Sequence, residues 1–166
     1  MRCNMMLELH VREATKADYG ALCELFDEVD ALHRDHLPDI FQEPDGPVRP
    51  RDYFRGLIRD DGVGLFVAEV GGRIVGFVHA VIRDEPALPI FFPQRHAVVE
   101  GIAVKSEFRN RGIGRRLMGA VQDWAISNAA TSIELNVYEF NKAAMAFYQK
   151  LGYGTLSRKM RKRLGS

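Results

Sequence analysis

Apolar and polar positions change period several times along the chain, and each change marks an element. "LELHVREA", Leu7 to Ala14, alternates weakly and predicts a first strand. Thr15, placed three residues ahead of Asp18, is the reciprocal capping arrangement that opens a helix. Tyr19, Leu22, Leu25 or Phe26, Val29 and Leu32 then recur at helical spacing up to a stop near Leu37-Pro38. Pro38, Pro44, Pro47 and Pro50, together with Gly46, exclude regular structure from the next stretch. A short helical pattern through Tyr53, Phe54, Leu57 and Ile58 follows it. A loop that long inside a compact domain is often a binding loop.

"GLFVAEV" and "RIVGFVHAVIRD" are joined by Gly71-Gly72, a strong hairpin signal, so this pair is antiparallel. "HAVVEGIAV", His96 to Val104, predicts another strand. After it, "KSEFRNRGIG" leads into Ile113, Leu117, Val121 and Trp124 on one helical face. "SIELNVYEF" alternates as a further strand through Phe140. Asn141 can cap a helix carrying Ala144, Phe147, Tyr148 and Leu151, which Gly152 ends. A last strand is expected from about Tyr153 to Leu164. Strands flanking a crossover helix are parallel, so the sheet is mixed and the fold class is α/β (α+β).

Length fits one domain, residues 1–166 with its core over 7–164, because 166 residues suffice to bury a sizeable core. With 46% hydrophobic and 27% charged residues the composition is that of a globular protein, and no apolar run approaches the ~18 residues of a membrane span. A net charge of +1 argues against a nucleic-acid partner. The basic run "SRKMRKRL" reads as a solvated edge. Cys3 and Cys23 have no metal spacing, no framework and no adjacent base, so metal and thiol chemistry are not expected. The amino terminus lacks a signal-peptide plan, and the cytoplasm is the expected location.

Glycines running into a helix expose backbone N–H groups at the positive end of the helix dipole, which makes an anion site. Gly112 and Gly114 permit close approach, and Arg109, Arg111, Arg115 and Arg116 surround the turn with charge suited to a pyrophosphate and a further phosphate. A Walker loop would end in Gly-Lys-Ser/Thr, whereas Gly114 is followed by Arg115-Arg116. A dinucleotide fingerprint would place three glycines after the first strand. The remaining expectation is a phosphorylated cofactor.

"VVEGIAVKSEFRNRGIGRRLM" followed by "IELNVYEFNKAAMAFYQKLGY" resembles the GCN5-related N-acetyltransferase family, with Arg109, Gly112 and Gly114 filling its Arg/Gln-x-x-Gly-x-Gly/Ala motif. The resemblance is close from about Gly64 to Tyr153. It implies a single-domain acyl-coenzyme A N-acyltransferase fold whose sheet is splayed into a V where acetyl-coenzyme A inserts, and transfer of an acetyl group to an amine. It further implies that N–H groups of Asn110, Arg111, Gly112, Ile113, Gly114 and Arg115 hold the pyrophosphate, while Ile102, Ala103 and Val104 pair with the pantetheine arm.

An alkylammonium with pKa near ~10.4 must lose a proton before it attacks a thioester. The resemblance makes Glu100 the base, acting through water; the other reading is a strand carboxylate facing solvent or paired with an arginine. Tyr148 matches the family's general acid, and Asn141 would cap its helix and bond the cofactor arm. His33, His36, Asp39, Glu43 and Asp45 gather where similar proteins cover the acceptor, and acidic groups there suit a cationic amine. Too few residues follow Tyr153 for a full terminal hairpin, which points to a homodimer whose partner completes the acceptor wall. A sensor that binds acetyl-coenzyme A without catalysis is the alternative; a phosphate-loop hydrolase is a weaker third.

Overall fold

The computed structural model describes residues 8–165. Cys3, Leu7 and the rest of the amino-terminal stretch read above lie outside the described residues. The chain divides into two compact units, residues 1–136 and 137–166. In the first unit, β1 (Leu9–Glu13), β2 (Val63–Val70), β3 (Arg73–Asp84), β4 (Arg95–Val104) and β5 (Ser132–Leu135) form a five-stranded sheet in that order. Pairing is antiparallel as far as β4 and parallel between β4 and β5, the mixed α/β sheet expected. Its helices are α1 (Tyr19–His36), α2 (Arg51–Arg59) and α3 (Ile113–Ser127); the second unit holds α4 (Lys142–Lys150).

Local chemistry explains the boundaries. Gly71 and Gly72 have φ of 57° and 77°, the left-handed pair that a tight hairpin turn requires between β2 and β3. Ahead of α1, the Asp18 carboxylate accepts the Thr15 N–H at 2.7 Å, while Thr15 Oγ1 accepts from Ala17 N–H, completing the capping box over a short 3-10 turn. Buried Asp18 also accepts two bonds from Arg12, at 2.8 and 2.9 Å, and the same guanidinium donates to Glu69 at 3.1 Å. This charge-assisted network ties β1, β2 and the start of α1 together.

Alternation along β3 assigns the faces. Phe77 meets Phe26 of α1 at 4.5 Å between ring centroids, within a core of Leu22, Leu25, Phe54, Leu65 and Val67. Gly76 faces the other way, where an added Cβ would lie 3.3 Å from Leu117 of α3 and 2.8 Å from the Ala103 carbonyl. From α3, Ile113, Leu117, Met118, Val121 and Ala125 are buried, and the Trp124 ring lies so close to Gly64 that a Cβ there would meet it at 2.8 Å.

Two of the expected strands differ. The strand through Phe140 stops at Leu135: Tyr138 and Phe140 stack on each other at 5.9 Å, across a turn in which Asn141 N–H donates to the Tyr138 carbonyl at 2.9 Å. The last strand, Tyr153 to Leu164, is not formed. Leu156, Met160 and Leu164 recur every four residues among basic neighbours and are exposed, so no period-two face exists to bury.

Candidate active site

β4 pairs with β5 from His96↔Ser132 to Val99↔Leu135 and then parts from it. Beyond Val99 it runs on against β3 alone, Gly101↔His79, Ile102↔Val78, Ala103↔Phe77 and Val104↔Gly76. Among the described residues no strand takes the other edge of that stretch. Strand-edge backbone at Ile102, Ala103 and Val104 is suited to pairing with an extended ligand. The opening of two strands into a V is therefore present in this sheet.

The ladder also slips there. His79 lies opposite Gly101 and Ala80 opposite Val99, which leaves Glu100 as the extra residue of a bulge. A bulge re-aims a side chain without ending the strand. The Glu100 side chain is 44% exposed, with one carboxylate oxygen 3.9 Å from Arg83 Nη2. That distance exceeds a hydrogen bond. Arginine thus neighbours Glu100, as one of the two readings held, yet does not close on it.

Past Val104 a short 3-10 turn, Ser106–Phe108, leads to the glycine loop. Asn110 takes φ 60° and Gly112 φ 78°, and Gly112 is the N-cap of α3 with no side-chain cap. Arg116 N–H donates to the Gly112 carbonyl at 3.1 Å, so the N–H groups of Ile113, Gly114 and Arg115 precede that bond as free first-turn donors. The first turn carries no acidic side chain to compete for them. Open space surrounds the position where a Gly112 Cβ would stand. Donor set, dipole and charge fit a pyrophosphate.

The arginines divide their tasks. Arg109 Nε donates to the Val104 carbonyl at 2.9 Å, folding the loop back on the end of β4 and occupying one of the strand-edge acceptors. Arg111 lies 5.5 Å over the Phe108 ring, and Arg116 donates to the Leu9 carbonyl at 3.4 Å. Arg115 is exposed.

Three residues that sequence reading passed over stand on the same face as Glu100. His79 is buried, its Nε2 has no hydrogen-bond partner, and burial pushes its pKa down to about 4, helped by Arg49 and Arg83. Arg49, from the proline loop, donates to Asp30 at 2.9 Å and to the Val48 carbonyl at 2.8 Å, with its guanidinium 4.9 Å over Phe26. The available signal was a single histidine inside the apolar run "VGFVHAVI". Arg83 and the bulge had none, since both depend on which strands pair.

The acceptor candidates sit at the close of α1. His33 stacks on Phe41 at 5.1 Å, and burial lowers its pKa, opposed by Asp30. His36 Nδ1 lies 2.9 Å from the Leu32 carbonyl, a contact within its own helix. Asp39 falls in the turn that follows.

In the second unit, Asn141 Oδ1 accepts the Ala144 N–H at 3.1 Å and caps α4. Tyr148 lies in that helix with Phe147 at 5.3 Å and Tyr153 at 5.8 Å between ring centroids. Burial, then the neighbouring Tyr153, pushes its hydroxyl up to about 12, so it keeps its proton at neutral pH.

Residues 26–153 match the model of the acetyltransferase (GNAT) family. The chain belongs to that family. Among relatives of this GNAT chain, an uncharacterized N-acetyltransferase of Methanocaldococcus jannaschii is 36% identical over 103 residues, 62% of this chain and 44% of that protein. An aminoglycoside N(6')-acetyltransferase type 1 of Salmonella typhimurium is 28% identical over 102 residues, 58% of this chain and 66% of its own. The GNAT chain thus spans less than two thirds of the length of these relatives. In the crystal structure of a mutant BH1408 protein from Bacillus halodurans the same fold covers 93% of this chain and 99% of that one, with a TM-score of 0.88 and 26% identity.

Proposed function

We propose that this GNAT chain transfers an acetyl group from acetyl-coenzyme A directly to a primary amine. The observation that carries the reading is the continuity of β4: a strand whose edge is unpaired beyond Val99 runs into a turn that presents the free N–H groups of α3. Acetyl-coenzyme A supplies the acetyl thioester. N–H groups of the loop and first turn, from Asn110 to Arg115, hold its pyrophosphate, and the Ile102, Ala103 and Val104 edge orients the arm. A backbone N–H at the splay polarises the carbonyl as an oxyanion donor.

Glu100 takes the proton of the acceptor ammonium through water, and the bulge is what turns its carboxylate out of the ladder. Tyr148, whose hydroxyl carries its proton at neutral pH, donates it to the departing sulfur. Asn141 caps the helix that carries Tyr148 and bonds the cofactor arm. His33, His36 and Asp39 border the acceptor, a reading that rests on their place at the end of α1 and the start of the proline loop.

Thiol release from acetyl-coenzyme A in the presence of a panel of amines tests the activity. Binding without thiol release on any acceptor would favour a sensor instead. Tyr148→Phe is expected to cut turnover ~10²-fold or more with cofactor affinity nearly unchanged. Wild-type turnover in that variant would remove Tyr148 from the mechanism.

A further inference from the structure

His96 opens the parallel pairing of β4 with β5, on the same face as Arg83, its partner across β3. It is only 8% exposed, and its Nδ1 is buried without a hydrogen-bond partner. Each ring nitrogen looks at a carboxylate it does not reach: Nδ1 is 3.9 Å from Glu85 Oε1, and Nε2 is 3.9 Å from Glu134 Oε2. Both distances are too long for hydrogen bonds.

The neighbouring acids are differently supplied. Asp84 has Arg95 at 3.6 Å and Glu100 has Arg83 at 3.9 Å. Glu85 and Glu134, among the described residues, have no lysine or arginine within ion-pair distance. They are partly exposed, so a ligand can reach them, and no group among the described residues is arranged to hold a metal ion. Two uncompensated carboxylates flanking a buried, unpartnered imidazole form a receptor for a hydrogen-bonding cation.

Position says what that cation belongs to. Glu134 pairs with Val98, just before the strands part, and shares the face of His96 and Val98. At a strand rise of ~3.3 Å per residue, Glu134 stands about 7 Å along β4 from Glu100, and His96 about 13 Å. Resting on the N-acetyltransferase reading above, we propose that the preferred acceptor is a small molecule with at least one further ammonium group, held at Glu134 for short spacings and toward Glu85 for long ones. The acetylated nitrogen lies at Glu100 and the second cation about 7–13 Å away. A single amine forgoes that contact.

The test compares α,ω-diaminoalkanes of about 4 to 10 carbons, a series chosen to span that separation, with n-alkylamines of the same lengths, by thiol release from acetyl-coenzyme A. The expected result is a kcat/KM at least about tenfold higher for the diamine at the best length, as one charge-assisted contact at a half-exposed site gives. The preference should weaken with added salt. Glu134→Gln should lower the diamine-to-monoamine ratio about fivefold or more, and Glu85→Gln should lower it chiefly for the longest diamines. Equal kcat/KM for the two series in the wild type, or equal loss on both in Glu134→Gln, would overturn the inference while leaving the acetyltransferase reading intact. No thiol release with any amine of either series would overturn both.

Discussion

The two ends of the sheet are finished in opposite ways. At the β1 end, Arg12, Thr15, Asp18 and Glu69 answer one another's hydrogen bonds, and the buried carboxylate of Asp18 is fully engaged. At the β4–β5 end a bulge ejects Glu100, an arginine stops short of it, and the buried imidazoles of His79 and His96 each keep a nitrogen without a partner. Satisfied polar networks rigidify a fold, whereas groups left unsatisfied have chemistry to offer a ligand. The contrast sets the groups that hold this protein together beside those left open to a ligand.

The largest expected effect breaks the closed end. Asp18→Ala leaves Arg12 only Glu69 as a partner and removes the cap, and it should cost about 2–3 kcal/mol of unfolding free energy in urea, with activity per folded molecule unchanged. An unaltered midpoint would mean that the network is decorative. The guanidinium of Arg12 holds the Asp18 carboxyl below its ordinary 3.8, against the opposing effect of burial. Its contribution is therefore present above that pH and is lost only in stronger acid.

The open end should titrate earlier. His79 is pushed from 6.5 to about 4, so the unfolded chain binds its proton first as pH falls. Its share of stability is complete above pH 6.5 and is lost on the way down to about 4, a total of about 3 kcal/mol. Unfolding free energies measured at intervals between those limits should show the slope, and His79→Gln should flatten it. A slope that survives the substitution belongs to another group.

The smallest effect sharpens the role of the bulge. Glu100→Gln is expected to lower kcat/KM about tenfold near neutral pH, with the deficit shrinking as pH rises toward the amine pKa of ~10.4 and free amine accumulates. A deficit constant with pH would assign Glu100 to structure.

How much of this was legible in sequence follows from which interactions are local. Gly71-Gly72, the Thr15–Asp18 box, and Gly112 before an amphipathic helix are set by neighbours in the chain, and each is found where the pattern predicts it. The bulge at Glu100, the Arg83 contact and the isolation of His79 depend on register between β3 and β4, which no single strand specifies. Alternation through "SIELNVYEF" overran β5 because it continues into a turn where Tyr138 and Phe140 stack. In the tail, the four-residue apolar spacing of Leu156, Met160 and Leu164 itself speaks against the strand expected there.

The contact between Trp124 and Gly64 gives the protein an optical reporter of its own. Trp124 is the one tryptophan of the sequence, and it rides on the helix whose first turn is the proposed anion site. Its ring lies against the backbone of β2, so its emission follows the seating of that helix on the sheet. Loading of the loop and loosening of the helix can therefore be read as colour and intensity from one native chromophore, with no label attached.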